Sequence, residues 1–398
     1  MTRRKRILLR IAVMWIALEI VTGIALLVAS GGLGLAHDPV RLDLTEAQRA
    51  NVHRLLEGKF LYTAHHPVTG WAPPPNANVG LYQTNSHGIR SRREFAFRRP
   101  RGTLRIAAFG DSFTHCDDVS NANAWPTLVD QELAHAEVLN FGVPAFGPDQ
   151  AWLRYRDLGR KFRPDVVLIG MMSENVQRVI NVFRPFYSAS YQMVLTKPRY
   201  MVVADNLVLL PNPMPAVASY RSLLDAPAET LERIGANDGH FQSRSHQHLL
   251  DFVPSMRFSR LVLDVMRRRF GSAILPGTEK YRVDSDVYRV TDGVLRGFYA
   301  QAKKDSARPV VVFLPNLADI ERARRDASTC SYAELADGLR RDGLRVLDLA
   351  PAFAASNEEL VDLVTGPWKH YSPLGNRIVA KAVATYLREH GLDGPKRR

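Results

Sequence analysis

LRIAAFGDSFTHC, residues 104–116, decides the fold of this chain, because it runs from an apolar strand directly into a Gly-Asp-Ser turn. Residues 104–110 are mostly apolar, as expected of a strand that is buried on both faces of a sheet. Glycine, aspartate and serine are common turn residues, so Ser112 could be no more than part of the turn. Its chemistry depends on which other side chains reach the same end of the sheet.

Further apolar strands follow this one, and amphipathic helices separate them. The other predicted strands are residues 136–143, 164–170, 309–315 and 344–353. Buried strands that alternate with amphipathic helices predict an α/β domain with a mainly parallel sheet between helices. Ligands of such sheets bind beyond the carboxyl ends of the strands. Ser112, Gly142 and Asn175 fall at such ends. The loop after the last strand carries His370, which we therefore expect at the same edge.

The N-terminus is predicted to be a transmembrane anchor. A basic tail, residues 1–10, precedes an apolar stretch over residues 11–35, whose only charged residue is Glu19. This stretch is long enough to span a bilayer, and the basic tail predicts a cytoplasmic N-terminus. The rest of the chain would then lie on the periplasmic side of a bacterial inner membrane. A cleaved signal peptide is the alternative, since residues 34–36 resemble a cleavage site.

Three segments follow the predicted anchor. Residues 36–100 contain many glycines and prolines and are interpreted as an extracytoplasmic connector. Residues 101–392 form the predicted α/β domain, and an insertion at about 176–300 interrupts its alternating pattern. We expect the insertion to act as a lid or a substrate wall. A carboxylate in mid-span is costly, so Glu19 is expected to pair with another helix, or to be protonated or reach the interface in a single span.

The composition excludes several classes of function. The net charge of +13 is scattered along the 398 residues, and no nucleic-acid recognition motif accompanies it, so no nucleic-acid partner is predicted. The irregular spacing of His240, His246 and His248 does not fit a zinc site, and no metal or cofactor is predicted. Cys116 and Cys330 are predicted to be unpaired core residues, although an extracytoplasmic compartment permits a disulfide between them.

Four short motifs resemble those of the SGNH, or GDSL-like, hydrolase family over about residues 100–390. They are GDSFT with Ser112, NFGVPAFG with Gly142, GMMSEN with Asn175 and KHYSPLGN with His370. The upstream sequence NSHGIRS is similar to the extension of membrane-anchored members found in exopolysaccharide systems. This resemblance implies a three-layer α/β/α, flavodoxin-like fold.

The resemblance also implies an acyl-transfer mechanism without a cofactor. Ser112 would be the nucleophile and His370 the general base. The backbone N–H groups of Ser112 and Gly142 and the side-chain amide of Asn175 would form the oxyanion hole. The implied activity is that of an esterase or O-acyltransferase acting on acyl, chiefly O-acetyl, esters of carbohydrate, with envelope polysaccharide machinery as partner. Two alternatives stay open: a non-catalytic polysaccharide-binding or scaffold domain, and a lipid esterase or thioesterase.

One position departs from the family pattern. The family usually has an aspartate three residues before the histidine, and this chain has Pro367 there. That carboxylate normally fixes the histidine tautomer and stabilises the imidazolium. A backbone carbonyl, an acid from elsewhere or a Ser–His dyad are the alternatives, and Asp362 is not expected to serve. Asp111 is expected to fix the loop. His115 is too close to Ser112 in sequence to act as its base.

Overall fold

The structure is a computed structural model that describes residues 2–32, 42–59, 62–244, 253–270, 285–326 and 330–395. It begins with one long helix, α1 (Arg3–Gly32). The part Arg3–Ala29 is long and apolar enough to cross a membrane. A signal sequence shares these properties, so the helix is confirmed while both predicted roles stay open. Residues 33–35 of the predicted span lie outside the described residues.

The segment predicted as a connector folds into small elements that pack on the α/β domain. They are α2 (Glu46–Leu56), β1 (Ala64–His66), β2 (Gly70–Ala72), β3 (Asn78–Val79) and β4 (Tyr82–Gln83). The strands form two antiparallel hairpins, β1–β2 and β3–β4. Trp71 of β2 is buried, and its indole N–H donates to the Pro144 carbonyl at 3.0 Å. The segment is therefore part of the packed structure around the loop after the second core strand.

The core elements alternate between strand and helix, as predicted. The first part contains β5 (Leu104–Phe109), α3 (Ser112–His115), α4 (Trp125–Glu132), β6 (Ala136–Asn140), α5 (Pro148–Asp157) and β7 (Val166–Met172). The intervening region contains α6 (Asn175–Arg178), α7 (Arg184–Tyr187), β8 (Arg199–Val203), β9 (Asn206–Leu210), α8 (Ser222–Asp225), α9 (Pro227–Gly235), α10 (Gly239–Arg244) and α11 (Pro254–Phe270). The last part contains α12 (Asp286–Lys304), β10 (Arg308–Leu314), α13 (Leu317–Ala323), α14 (Ala333–Arg341), β11 (Val346–Asp348), α15 (Ala350–Ala354), α16 (Leu360–Leu363), β12 (Val364–Thr365), β13 (His370–Tyr371) and α17 (Pro373–Glu389).

Five strands form one parallel sheet in the order β11-β10-β7-β5-β6. Counted along the chain, this is the 2-1-3-4-5 order of flavodoxin-like folds. The predicted α/β fold with a parallel sheet is confirmed. The point where the strand order reverses lies between β5 and β7, and Ser112 and Asn175 follow these two strands. In such folds this switch point is where ligands bind.

Helices cover both faces of the sheet because successive side chains of a strand point to opposite sides. In β5, Ala107 and Phe109 join a core with α5, α12 and α14, whereas Ile106 and Ala108 join a core with α4 and α17. The sequence prediction assigns most of α12 to the insertion. Its residues Leu295 and Phe298 are instead buried against the sheet. The predicted boundaries of the domain and the insertion otherwise stay predictions.

Within the insertion, the predicted hairpin is present. Strands β8 and β9 pair in an antiparallel register that places Val203 opposite Asn206. The two turn residues between them, Ala204 and Asp205, both have positive φ angles, 45° and 62°. This conformation is typical of the two-residue turns that match the twist of antiparallel strands.

Glu19 of α1 has a partner on another helix. Its carboxylate accepts hydrogen bonds from the backbone N–H of Ser255, at 2.9 Å, and from the Ser255 hydroxyl, at 2.7 Å. Ser255 lies in the first turn of α11, where backbone N–H groups have no partner within the helix. The Glu19 carboxylate is thus bonded to the N-terminal turn of a helix of the insertion, the helix partner expected from the sequence.

Candidate active site

Ser112 occupies the first position of α3, directly beyond the carboxyl end of β5. Asp111 begins this helix, since its Oδ1 accepts a hydrogen bond from the Phe113 backbone N–H at 2.9 Å. The other oxygen, Oδ2, accepts from Asn175 Nδ2 at 2.8 Å and from Arg178 Nη1 at 3.0 Å. Asp111 thus fixes the turn, as expected. Among the described residues, neither Oγ nor the backbone N–H of Ser112 has a hydrogen-bond partner.

His370 lies beside this helix and is paired with an acid. Its Nδ1 is 2.7 Å from Oδ2 of Asp118, and its ring is almost fully buried. The ring packs edge-on against Phe113, with 5.3 Å between the ring centroids. Phe113 directly follows Ser112, so the imidazole lies next to the turn that carries the serine. Within the described part of the chain, Nε2 has no hydrogen-bond partner.

Asp118 occupies the place beside His370 Nδ1 for which the sequence offered no candidate. Strand β13 pairs with β12 and places His370 opposite Thr365, so residues 366–369 form a tight turn. The family position, Pro367, belongs to this turn. Gly366 has a φ of +69°, and a Cβ there would come within 2.2 Å of Asp118 Oδ2. The absence of a side chain at Gly366 therefore leaves space for the carboxylate of Asp118, which belongs to the loop after α3, six residues after Ser112.

Arg90 holds the loop that carries Asp118. This buried side chain belongs to the upstream NSHGIRS motif. Its Nη1 donates to the carbonyls of His115 and Cys116, and its Nη2 donates to the carbonyl of Val119. The planar guanidinium suits several fixed acceptors at once, which a lysine ammonium cannot match in the same geometry. The motif noticed in the sequence thus positions the loop between the serine and the acid.

We expect Arg90→Lys to reduce kcat on p-nitrophenyl acetate by about tenfold to a hundredfold, because a misplacement of about 1 Å can cost that much. The carbonyls on the loop would lose fixed donors, and Asp118 would no longer be held against His370. Steady-state kinetics with the full-length chain in detergent, and the rate of fluorophosphonate labelling, measure the effect. Arg93→Lys, at a half-exposed arginine, is the matched control. Unchanged kinetics in Arg90→Lys would contradict a positioning role.

His115 is a structural residue, in agreement with the sequence-based expectation. It is fully buried, and its Nε2 is 2.7 Å from the Tyr62 hydroxyl, while its Nδ1 faces Asp117. Burial, followed by the charge of Arg90, lowers the pKa of His115 to about 4. The imidazole is therefore neutral near pH 7 and both nitrogens are occupied, so His115 does not compete with His370 as a base.

The three predicted oxyanion donors lie at the same edge, and they differ in how far they are engaged. The Gly142 N–H donates to Asn140 Oδ1 at 2.9 Å. Asn175 Oδ1 accepts a hydrogen bond from the Met172 backbone N–H. One of the two N–H groups of Asn175 Nδ2 donates to Asp111 Oδ2. The Ser112 N–H is the donor without a protein partner in the described residues. Their role in an oxyanion hole stays a prediction.

Gly142 is required for a reason that the sequence did not reveal. We expect a glycine here to leave room for substrate. In the structure, a Cβ at this position would lie 2.2 Å from the His115 backbone nitrogen and 2.6 Å from the Thr114 carbonyl carbon. The glycine thus allows the loop after β6 to pack directly against the backbone of α3, the helix that carries Ser112.

The remaining candidates do not join the site. Asp362 has an exposed side chain, and its backbone carbonyl accepts from the Ser372 hydroxyl. Cys116 and Cys330 are buried free thiols, and burial raises the pKa of Cys116 to about 12 and that of Cys330 to about 11.

No metal-binding group of His, Cys, Asp or Glu occurs in the described ranges. His240 contacts the Gln177 carbonyl at 3.0 Å. The other two histidines of that trio, at 246 and 248, lie outside the described residues.

Comparisons with known proteins give structural neighbours but no relatives by sequence. No family model and no curated protein matches this chain. A lipolytic protein of the G-D-S-L family from Desulfitobacterium hafniense is 14% identical, with 71% of this chain and 99% of that chain covered and a TM-score of 0.34. A catalytic mutant of an acetylxylan esterase from Geobacillus stearothermophilus is 14% identical, with 75% and 99% covered and a TM-score of 0.37. The function of this chain is therefore inferred from its own site, in which Ser112 lies beside a His370–Asp118 pair at the switch point of a parallel sheet.

Proposed function

We propose that this chain is a membrane-anchored serine esterase or O-acyltransferase of the SGNH type. The observation that carries the proposal is the 2.7 Å contact between His370 Nδ1 and Asp118, next to a serine with no competing partner in the described residues. A carboxylate on Nδ1 keeps the proton there, so Nε2 can accept the proton of a serine hydroxyl. The parts required for acyl transfer are thus close together at the edge where flavodoxin-like folds bind ligands.

The mechanism proceeds through an acyl-enzyme. Ser112 Oγ attacks the carbonyl carbon of an ester while His370 Nε2 takes the hydroxyl proton. Asp118 stabilises the imidazolium that forms. The Ser112 N–H and the second N–H of Asn175 Nδ2 stabilise the oxyanion. The Gly142 N–H can donate to the oxyanion only after its hydrogen bond to Asn140 Oδ1 is broken. His370 then gives its proton to the leaving alcohol. Water or a sugar hydroxyl, deprotonated by the same imidazole, attacks the acyl-enzyme and releases Ser112.

The substrate class of the proposal is an acylated, chiefly O-acetylated, carbohydrate of an exported polysaccharide. Its support is the resemblance of the four motifs to the SGNH family and of NSHGIRS to the extension of membrane-anchored members from exopolysaccharide systems. Helix α1, with the basic residues before its apolar part, would hold the chain in the inner membrane with the site on the periplasmic side. Envelope polysaccharide machinery is the proposed partner. The Asp118–His370 pair weighs against a non-catalytic scaffold, since that alternative arose from the missing family aspartate.

The proposal is tested by covalent labelling. A fluorophosphonate probe added to the full-length chain in detergent should form an adduct at Ser112, located by peptide mass spectrometry. Ser112→Ala should remain unlabelled and should hydrolyse p-nitrophenyl acetate at the background rate, because the nucleophile is missing. Ser190→Ala removes an exposed serine of the insertion and should behave as the wild type. Equal hydrolysis by wild type and Ser112→Ala would refute the enzymatic proposal.

A further inference from the structure

An aromatic row lies beside the site and is not used by the mechanism above. It consists of Trp368, Tyr191 and Tyr187. Trp368 is 66% exposed, although indole is among the largest apolar side chains. Its ring is nearly parallel to that of Tyr191, with 6.1 Å between centroids, and Tyr191 is followed by Tyr187 at 6.0 Å. An exposed indole that continues into two partly buried aromatic rings forms an apolar patch of the kind that marks a binding surface.

The two ends of the row lie next to segments that carry two of the predicted site residues, His370 and Asn175. Trp368 belongs to the turn between β12 and β13, two residues before His370. At the other end, burial and the neighbouring Glu174 carboxylate, to which the hydroxyl is hydrogen-bonded, raise the pKa of Tyr187. Glu174 directly precedes Asn175. The row therefore joins the hairpin that carries His370 to the segment that carries Asn175.

The chemistry of the row matches a sugar ring. A pyranose has a flat face of C–H groups and a rim of hydroxyls. The face of an aromatic ring carries negative charge density, which attracts polarised C–H groups placed over it. Glu174, whose side chain is 31% exposed, supplies an acceptor for hydroxyl groups at one end of the row. Tyr191 backs one side of the indole, so the side chain is held in place while most of its surface stays open.

We propose that Trp368, backed by Tyr191 and Tyr187, forms a sugar-binding subsite that places an acylated pyranose against the serine. The expected effect of this subsite on ester cleavage rests on the proposed function. The expected binding of a sugar ring rests on the aromatic row alone. Because Trp368 belongs to the hairpin that carries His370, we expect a sugar ring stacked on it to bring its ester group toward the serine. The row selects for carbohydrate esters over simple acyl esters.

The kinetic test compares two substrates with the full-length chain in detergent. Trp368→Ala should lower the ratio of kcat/KM for acetylated cellotetraose to kcat/KM for p-nitrophenyl acetate by about tenfold, as expected for the loss of an aromatic stacking contact. Trp368→Phe keeps an aromatic face and should recover most of the ratio. Val361→Ala, which removes another exposed apolar side chain at the C-terminal side of the domain, should leave the ratio unchanged.

A binding measurement separates this inference from the proposed function. In Ser112→Ala, which cannot turn over, acetylated cellotetraose should quench tryptophan fluorescence, and Trp368→Phe in that background should remove the quench. A quench together with an inactive wild type would refute the esterase while supporting the subsite. An unchanged ratio in Trp368→Ala would overturn the subsite. A larger loss on p-nitrophenyl laurate than on the sugar ester would also overturn it, since the row would then bind an acyl chain.

Discussion

Asp118→Asn is expected to lower kcat on p-nitrophenyl acetate by about a thousandfold to ten-thousandfold while the fold stays intact, the size of effect seen when a triad acid becomes an amide. The carboxylate accepts the Nδ1 proton of His370 at 2.7 Å, which leaves Nε2 free to accept a proton. An asparagine amide can donate to Nδ1 instead and so place the imidazole proton on Nε2. The base would then carry a proton where it must accept one.

Steady-state kinetics and the rate of fluorophosphonate labelling measure this loss, and the thermal unfolding midpoint shows whether the fold is retained. Asp362→Asn is the matched control, because Asp362 is the acid nearest to His370 upstream in the sequence and its side chain is exposed. We expect that variant to be nearly silent. The reverse pattern, with activity lost in Asp362→Asn and kept in Asp118→Asn, would show that the acid is misassigned.

His370→Ala should cost about as much activity as Ser112→Ala, on the order of ten-thousandfold or more in kcat, because nucleophile and base act as a unit. Removing the base leaves a neutral hydroxyl that attacks an ester poorly, and removing the hydroxyl leaves a base with nothing to activate. The double variant should therefore lose no more than either single variant. A double-mutant cycle on kcat/KM measures this non-additivity.

A matched histidine control is available in the chain. His53→Ala alters an exposed histidine of α2 and should retain wild-type kinetics. If the losses of Ser112→Ala and His370→Ala multiplied in the double variant, the two residues would act independently, and His370 would not be the base for Ser112. Retained fluorophosphonate labelling in His370→Ala at the wild-type rate would lead to the same conclusion.

The sheet could be predicted well from the sequence because its strands are short apolar runs separated by amphipathic helices. Each predicted core strand occurs, although the segment 344–353 becomes the three-residue strand β11 followed by α15, which begins at Ala350. The placement of Ser112, Gly142, Asn175 and His370 at one edge also followed from pattern. Parallel strands bring their carboxyl ends to the same side, so this arrangement needs no knowledge of side-chain contacts.

The acid could not be found in the same way. Asp118 and His370 are 252 residues apart, and no local periodicity connects them. In the sequence, the Asp-Asp pair at 117–118 is typical of a polar loop. Only the structure shows that the Asp117 carboxylate contacts His115 and the Asp118 carboxylate contacts His370. The contacts of Arg90 and Gly142 with the serine loop are hidden for the same reason. Both depend on how segments that are distant in sequence pack together.

In the proposed triad, Ser112 and Asp118 come early in the chain and His370 comes late, which has a consequence for biogenesis. A chain is made and exported from its N-terminus, so Ser112 and Asp118 leave the ribosome long before His370. The serine has no activating base until the C-terminal hairpin β12–β13 docks beside α3. Under the proposed mechanism, esterase activity is thus acquired only when the chain is complete, and a nascent polypeptide that already carries Ser112 is expected to be inactive.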